Sequence, residues 1–302
     1  MVFRREVFAM TPDSLSGILV VDKPSGMTSH DVVFRVRRIL GVDAVGHTGT
    51  LDPMASGILV LCVGRATKIA RYLVERDKTY LSTFLVGRAT DTDDITGKTV
   101  AEAAVADLPD QLVDETLSSF LGFSEQMPPA YAAIKVEGRK LYDYARAGQP
   151  IPQVAARPVE IRTLTRTSPV LKDGTTVRFD VLADVSKGTY IRAIARDFGS
   201  RIGLPATLAA LRRTRVDRFE IDDAITLERL AEGARPLLDP LSFLDFPRVS
   251  LSPDLVFKAK NGAFLPRAIT SADAVVVIDG DTPIAIYRSD PDKGIMRLEV
   301  ML

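Results

Sequence analysis

The chain has 302 residues, 46% of them hydrophobic, with 39 basic side chains against 39 acidic ones. That content can bury a sizeable core in one large domain plus a small one, and zero net charge argues against an indiscriminate polyanion binder. One cysteine and two histidines exclude an intrachain disulfide and a thiolate or imidazole zinc cluster, so no metal is expected.

Residues 1–16 read as a loose, flexible leader. They lack a signal peptide's uninterrupted apolar core, Arg4, Arg5 and Glu6 lie close together, and no later run approaches the roughly 20 apolar residues that cross a bilayer. A cytoplasmic protein is expected. Gly17 to Asp22 reads as a strand, and Lys23-Pro24-Ser25-Gly26 as a turn. Ser29 is the expected cap of a helix to Leu40, since Val32, Val36, Ile39 and Leu40 share a face and Gly41 suits a left-handed end. A loop from Gly46 to Gly57 leads into a buried strand at 58–63, where Cys62 is core filler, and then a helix is expected over 66–74.

Lys78 to Val86 has the β-branched and aromatic content of a strand, with Tyr80 near its start. An acidic loop and an amphipathic helix are expected over 91–121, and Gly138 to Arg146 reads as a short helix that interleaves basic and aromatic side chains. Such interleaving suits nucleic acid, because rings stack on bases while Lys and Arg meet phosphates. Strands follow at 159–165 and 177–185, then a helix carrying Ile191, Ile194, Phe198 and Ile202, an extended segment over 211–216, and a short helix around 226–232. From Arg248 onward the pattern is a helix over 253–260 and strands at 274–278, 284–287 and 296–300. There is no strict βαβ alternation. The expected fold is α+β, with a large mixed, mainly antiparallel sheet flanked by helices and a small β-rich C-terminal domain.

Charge is segregated along the chain. Seven arginines lie between Arg192 and Arg218 against Asp197 and Asp217, whereas eight acids lie between Asp91 and Thr116 against Lys98 alone. The pattern fits one anion-binding face and one solubilising face, or else solvated helix faces with local ion pairs. Arg212, Arg213 and Arg215 are candidate phosphate contacts.

The most constrained stretch is the loop that holds Gly46, Gly49, Gly57, His47 and the sequence Leu51-Asp52-Pro53. Pro53 biases Asp52 away from the helical region, and Leu51 offers an apolar anchor, so the carboxylate could stand at the mouth of a pocket as a nucleophile. From spacing alone the favoured alternative is that it closes an Asx-type turn on nearby backbone donors. No phosphate-binding Gly-rich loop, dinucleotide fingerprint or Gly-x-Ser-x-Gly elbow is present, so nucleotide hydrolysis, hydride transfer and serine hydrolysis lose their usual signals.

Five stretches occur in order: 21–31 (Val-Asp-Lys-Pro-Ser-Gly-Met-Thr-Ser-His-Asp), 46–53 (Gly-His-Thr-Gly-Thr-Leu-Asp-Pro), 77–80 (Asp-Lys-Thr-Tyr), 187–192 (Lys-Gly-Thr-Tyr-Ile-Arg) and 211–214 (Leu-Arg-Arg-Thr). Over residues 17–232 they resemble the motifs of the bacterial TruB family, tRNA pseudouridine synthases that make the pseudouridine at position 55 in the TΨC arm. Thr50 stands where some members have Ala and Ala132 where Ser is common, and neither is a catalytic position. The resemblance implies a pseudouridine-synthase fold, with residues 17–247 as catalytic domain, 125–152 as a mobile lobe that clamps RNA, and 248–302 as a PUA-like domain. It implies Asp52 as catalytic carboxylate, Tyr80 as active-site aromatic and Arg192 as the cation paired with Asp52. Leu211 would be an apolar wall, and His47, Lys23, Tyr190, Lys135 and Arg146 would bind substrate. The implied partner is the TΨC stem-loop of tRNA, met by a monomer.

Turning uridine into pseudouridine is redox-neutral, so no cofactor is expected. The base must be flipped out of its stack before a side chain can reach it. A tRNA chaperone with secondary catalysis is an alternative reading. An Asp-nucleophile glycosidase is another, but it needs a second carboxylate that the sequence does not flag near Asp52.

Overall fold

The computed structural model describes residues 15–74, 76–136 and 138–302. Of the expected leader, residues 1–14 lie outside the described residues, while Leu15 is buried and the Ser16 hydroxyl accepts the Ala66 N–H at 3.2 Å.

The apolar and alternating runs assemble into one ten-stranded sheet. Its main path runs Gly17–Lys23, Ser56–Val63, Ala206–Val216, Lys78–Val86, Thr176–Val185, Arg157–Arg166 and Gly122–Gln126. Neighbours on this path are antiparallel except at one junction, where Arg212 and Arg213 pair in parallel with Ser56 and Gly57. That junction brings two backbones unusually close. Gly57 has φ +100°, and a Cβ there would lie 2.2 Å from the Arg213 carbonyl oxygen.

Helices cover the sheet as expected for an α+β protein. The helix Ile191–Ile202 buries Phe198 against Phe84 and Phe179, with ring centroids 6.0 and 5.4 Å away, and so fixes its first turn over the sheet. The helix Ser29–Leu40 ends at Gly41 in the left-handed conformation, as read from sequence. Its N-cap is Thr28, not Ser29: Thr28 and Asp31 form a reciprocal capping box. The expected helix over 66–74 is a 3-10 segment, Gly64–Ile69, followed by one α-turn, Arg71–Val74. Several short strands are absent from the sequence reading, among them Thr99–Glu102 and Gly122–Gln126, which are mostly exposed and so carry no buried alternation to read, and Arg139–Lys140, which replaces the start of the helix expected from Gly138.

Residues 248–302 form a second sheet in the order Arg248–Ser250, Ala274–Asp279, Thr282–Asp290, Ile295–Met301, Leu265–Pro266, covered by the helix Pro253–Lys260. Two of these strands are too short to stand out in sequence. Val276, Ile286 and Val300 pack on Ile69 and Leu244, which joins this sheet to the larger part.

Candidate active site

The loop around Asp52 is held from three directions. On one side, Ser29 Oγ accepts the Leu51 N–H at 2.8 Å and donates to the Leu51 carbonyl at 3.0 Å. From below, the fully buried Lys23 amine donates to the carbonyls of Pro24, Met27 and Pro53 at 2.9, 2.7 and 3.3 Å. From the neighbouring strand, the buried Arg213 donates to the carbonyls of Ile58, Gly49 and Thr50 at 2.8, 3.0 and 3.3 Å. The backbone on either side of Asp52 is therefore bound to three separate elements, and its carboxylate is aimed rather than free.

Burial pushes the Lys23 amine down to about 8, against the opposing pull of Asp52. Its native pKa lies below that of the unfolded chain, so between about pH 8 and 10.5 the unfolded chain binds more protons, and stability from this group grows as pH rises through that window. Urea midpoints at pH 7.5 and 9.5 should therefore rise less steeply with pH in Lys23→Met than in wild type. Equal pH dependence would show that the buried amine is not perturbed.

Arg192, in the first turn of the helix Ile191–Ile202, meets Asp52 in a two-pronged pair: Nε to Oδ2 at 2.8 Å and Nη2 to Oδ1 at 3.2 Å. Nη1 donates to the Thr92 carbonyl at 2.8 Å and Nη2 also to that of Tyr131 at 3.1 Å. Both carboxylate oxygens of Asp52 thus face a guanidinium, which separates this arrangement from an Asx turn. The Arg192 side chain is 4% exposed and that of Asp52 32%, so the pair opens to solvent on the carboxylate side only. A second carboxylate oxygen, Asp94 Oδ2, stands 3.9 Å from Arg192 Nε, and its other oxygen accepts from Thr96 N–H at 2.9 Å.

A lysine at 192 keeps the charge but has no planar fork to serve both Asp52 oxygens and two carbonyls. Arg192→Lys should leave a folded protein whose rate falls by about 100-fold, measured under single-turnover conditions. A rate within a few-fold of wild type would mean that charge alone suffices.

Beside the pair opens a cavity of about 690 Å³, lined by Asp52, Tyr80, Lys135, Tyr190, Arg192 and Leu211, among others. Tyr80 and Leu211 are mostly buried and present only one side to it. Gln126 fixes Tyr190 with two bonds, accepting its N–H at 2.8 Å and donating to its carbonyl at 3.1 Å, and burial pushes the Tyr190 phenol up. Three expected substrate-binding residues are not on this wall. Lys23 lies beneath the loop. His47 lies on the strand Val45–His47 with Nδ1 buried and unpartnered, its pKa lowered by burial and then by Arg213. Arg146 stacks on the Tyr142 ring at 5.1 Å, as Arg139 does on Tyr144 at 4.3 Å.

Several residues here have no role in the site by sequence alone: Ser29, Asp94 and Gln126, which hold the framework, and Lys78 and Arg157, which line the cavity. Only Ser29 carried a usable signal, as a polar residue three positions before Val32 and so on the apolar face of its helix. The segregation of charge is undone in space. Arg196 pairs with Asp93 at 2.9 Å, Arg212 with Asp22 at 2.8 Å and Arg215 with Asp184 at 2.6 Å, so the basic run is largely neutralised by partners far away in the chain. Arg213, with its bonds to loop carbonyls, is not available as a simple surface phosphate contact.

The fold is shared with two solved assemblies. The structure of a Cbf5-Nop10-Gar1 complex matches with a TM-score of 0.63 at 24% identity, covering 90% of this chain and 78% of that one. That of an archaeal box H/ACA sRNP Nop10-Cbf5 complex matches with a TM-score of 0.64 at 22% identity, covering 94% and 84%. In sequence, the model of the TruB family pseudouridylate synthase N-terminal domain matches residues 37–191. A tRNA pseudouridine synthase B of Streptococcus pneumoniae serotype 4 is 42% identical over 281 residues, 91% of this chain and 96% of its own length. One of Bacillus subtilis is 39% identical over 295 residues, covering 92% and 94%. The chain belongs to the TruB family of pseudouridine synthases.

Proposed function

We propose that this chain converts uridine 55 in the TΨC loop of tRNA to pseudouridine, with Asp52 as the catalytic carboxylate. The observation that carries the reading is the two-pronged Asp52–Arg192 pair at the edge of a cavity walled by Tyr80 and Leu211. The tRNA substrate is supported by the relatives named above, which match over nearly their whole length.

The reaction breaks the bond from N1 of uracil to C1′, turns the base, and joins C5 to C1′; the C5 hydrogen leaves as a proton and N1 takes up a proton, so the product is an isomer. No electrons are gained or lost, so no cofactor is needed for the balance. Asp52 acts at the sugar, either by attacking C1′ or by taking a proton to start elimination. Arg192 holds the carboxylate in one direction and spares the reacting complex that reorganisation. The uridine enters flipped, its base against Tyr80 with Leu211 beside it. Lys135 and Arg157, exposed at the mouth, meet the phosphates, and residues 125–152 close over the stem-loop with their aromatic and basic side chains. His47 braces the RNA as it opens. The catalytic work falls to residues 17–247, and the sheet of residues 248–302 serves as an accessory RNA-binding unit.

The test is tritium release from an unmodified tRNA transcript labelled at uridine C5, in buffer treated to remove metals. Release with no free uracil supports the isomerase. Free uracil would make the chain a glycosidase, and bound tRNA without release would leave a tRNA chaperone.

A further inference from the structure

Lys78 and Arg213 come from neighbouring strands and point to one spot. Lys78 and Tyr80 lie two residues apart on one strand, hence on one face of it, and Arg213 stands directly opposite Tyr80 in the register. Both cations converge on Gly49: Lys78 Cε and Arg213 Nη1 each lie 3.8 Å from where a Cβ on Gly49 would be. Both line the Asp52 cavity.

Neither forms an ion pair with a described residue. Among the described residues no carboxylate oxygen lies within salt-bridge distance of either. Asp77, the acid that acts on the Lys78 amine, is engaged by Arg162 at 2.8 Å. Arg213 is 2% exposed and uses three of its N–H donors on carbonyls, and the Lys78 amine uses one on the Arg76 carbonyl. The donor inventory leaves two on each. Two desolvated cations side by side are costly, and burial followed by Arg213 pushes the Lys78 amine down to about 8. An anion seated between them removes that cost.

We propose that Lys78 and Arg213 form an anion site beneath Gly49 that holds a phosphate of the bound RNA strand, next to the ring on which the flipped base stacks. The site rests on the RNA-modifying function proposed above. It places one phosphodiester inside the cavity, deeper than the exposed Lys135 and Arg157, so the strand is gripped at the target nucleotide itself.

The experiment measures binding of the unmodified tRNA transcript from 50 to 300 mM KCl for wild type, Lys78→Gln, Lys78→Arg and Gly49→Asp, with melting temperatures and tritium release alongside. In Lys78→Gln the plot of log affinity against log salt should be shallower by about 0.7, the value of one single-strand phosphate contact, and affinity at low salt weaker by about tenfold. Lys78→Arg should restore the slope. Gly49→Asp sets a carboxylate between the two cations at a position whose φ is open to any residue, so its melting temperature should rise while RNA affinity falls. A Lys78→Gln protein with unchanged slope and affinity overturns the phosphate site, including the case in which its rate alone drops, which would put the charge on the uracil instead. Gly49→Asp that binds RNA like wild type overturns it as well. Wild type that neither binds nor modifies the transcript overturns the proposed function and the site together.

Discussion

Asp52→Asn is expected to bind tRNA about as tightly as wild type and to release tritium from its C5-labelled uridine about four orders of magnitude more slowly. The amide is nearly isosteric, so the loop keeps its course: Ser29 on Leu51, Lys23 on Pro53 and Arg213 on Gly49 and Thr50 do not involve the carboxylate. What is lost is the negative oxygen. An amide can neither attack C1′ nor accept the sugar proton. Arg192 would remain buried with its charge no longer answered by Asp52, normally a severe fault. Here the carbonyls of Thr92 and Tyr131 and the Asp94 carboxylate 3.9 Å away retain part of its environment, so the loss of stability should stay near 1–3 kcal/mol. Substantial residual release would show that Asp52 only orients the substrate. Retained acceleration of tRNA folding by the same variant would show that remodelling and chemistry are separate capacities of one surface.

Gly57→Ala should cost more stability than any other alanine substitution at a glycine of the Asp52 loop, at least about 3 kcal/mol. Two penalties coincide. The residue sits at φ +100°, where a side chain is strained, and its Cβ would stand 2.2, 2.8 and 2.9 Å from the carbonyl oxygen, nitrogen and carbonyl carbon of Arg213. Those are backbone atoms of the adjacent strand and cannot step aside. Relief requires the parallel junction between Ser56–Val63 and Ala206–Val216 to open, which would carry Arg213 away from the loop it supports. Gly46→Ala is the control, since nothing lies within 4 Å of the added carbon and its φ is ordinary; it should change the urea midpoint by less than about 1 kcal/mol equivalent. Similar effects for the two would refute the close-approach argument.

Much of this molecule was legible in one dimension wherever the signal is local. Lys78 to Val86 reads as a strand because its own residues prefer a pleated, half-buried surface, and the helix ending at Gly41 reads correctly because a left-handed stop is a property of one residue. The rigid stretch that holds Asp52 announced itself by its glycines and Pro53, and the ordered motifs placed Arg192 and Tyr80 beside it by resemblance. Tertiary structure decided the rest. Whether Asp52 closed a turn or faced a cation depended on an arginine 140 residues away. The role of Ser29 changed from cap to clamp because Leu51 came within reach. The arginine-rich run, which in sequence fitted either an anion-binding face or ion-paired helix faces, is largely paired with Asp22, Asp93 and Asp184. Such outcomes follow from strand order, and above all from the parallel junction in the large sheet that lays Arg213 along Gly57, and no periodicity along the chain encodes which strands become neighbours.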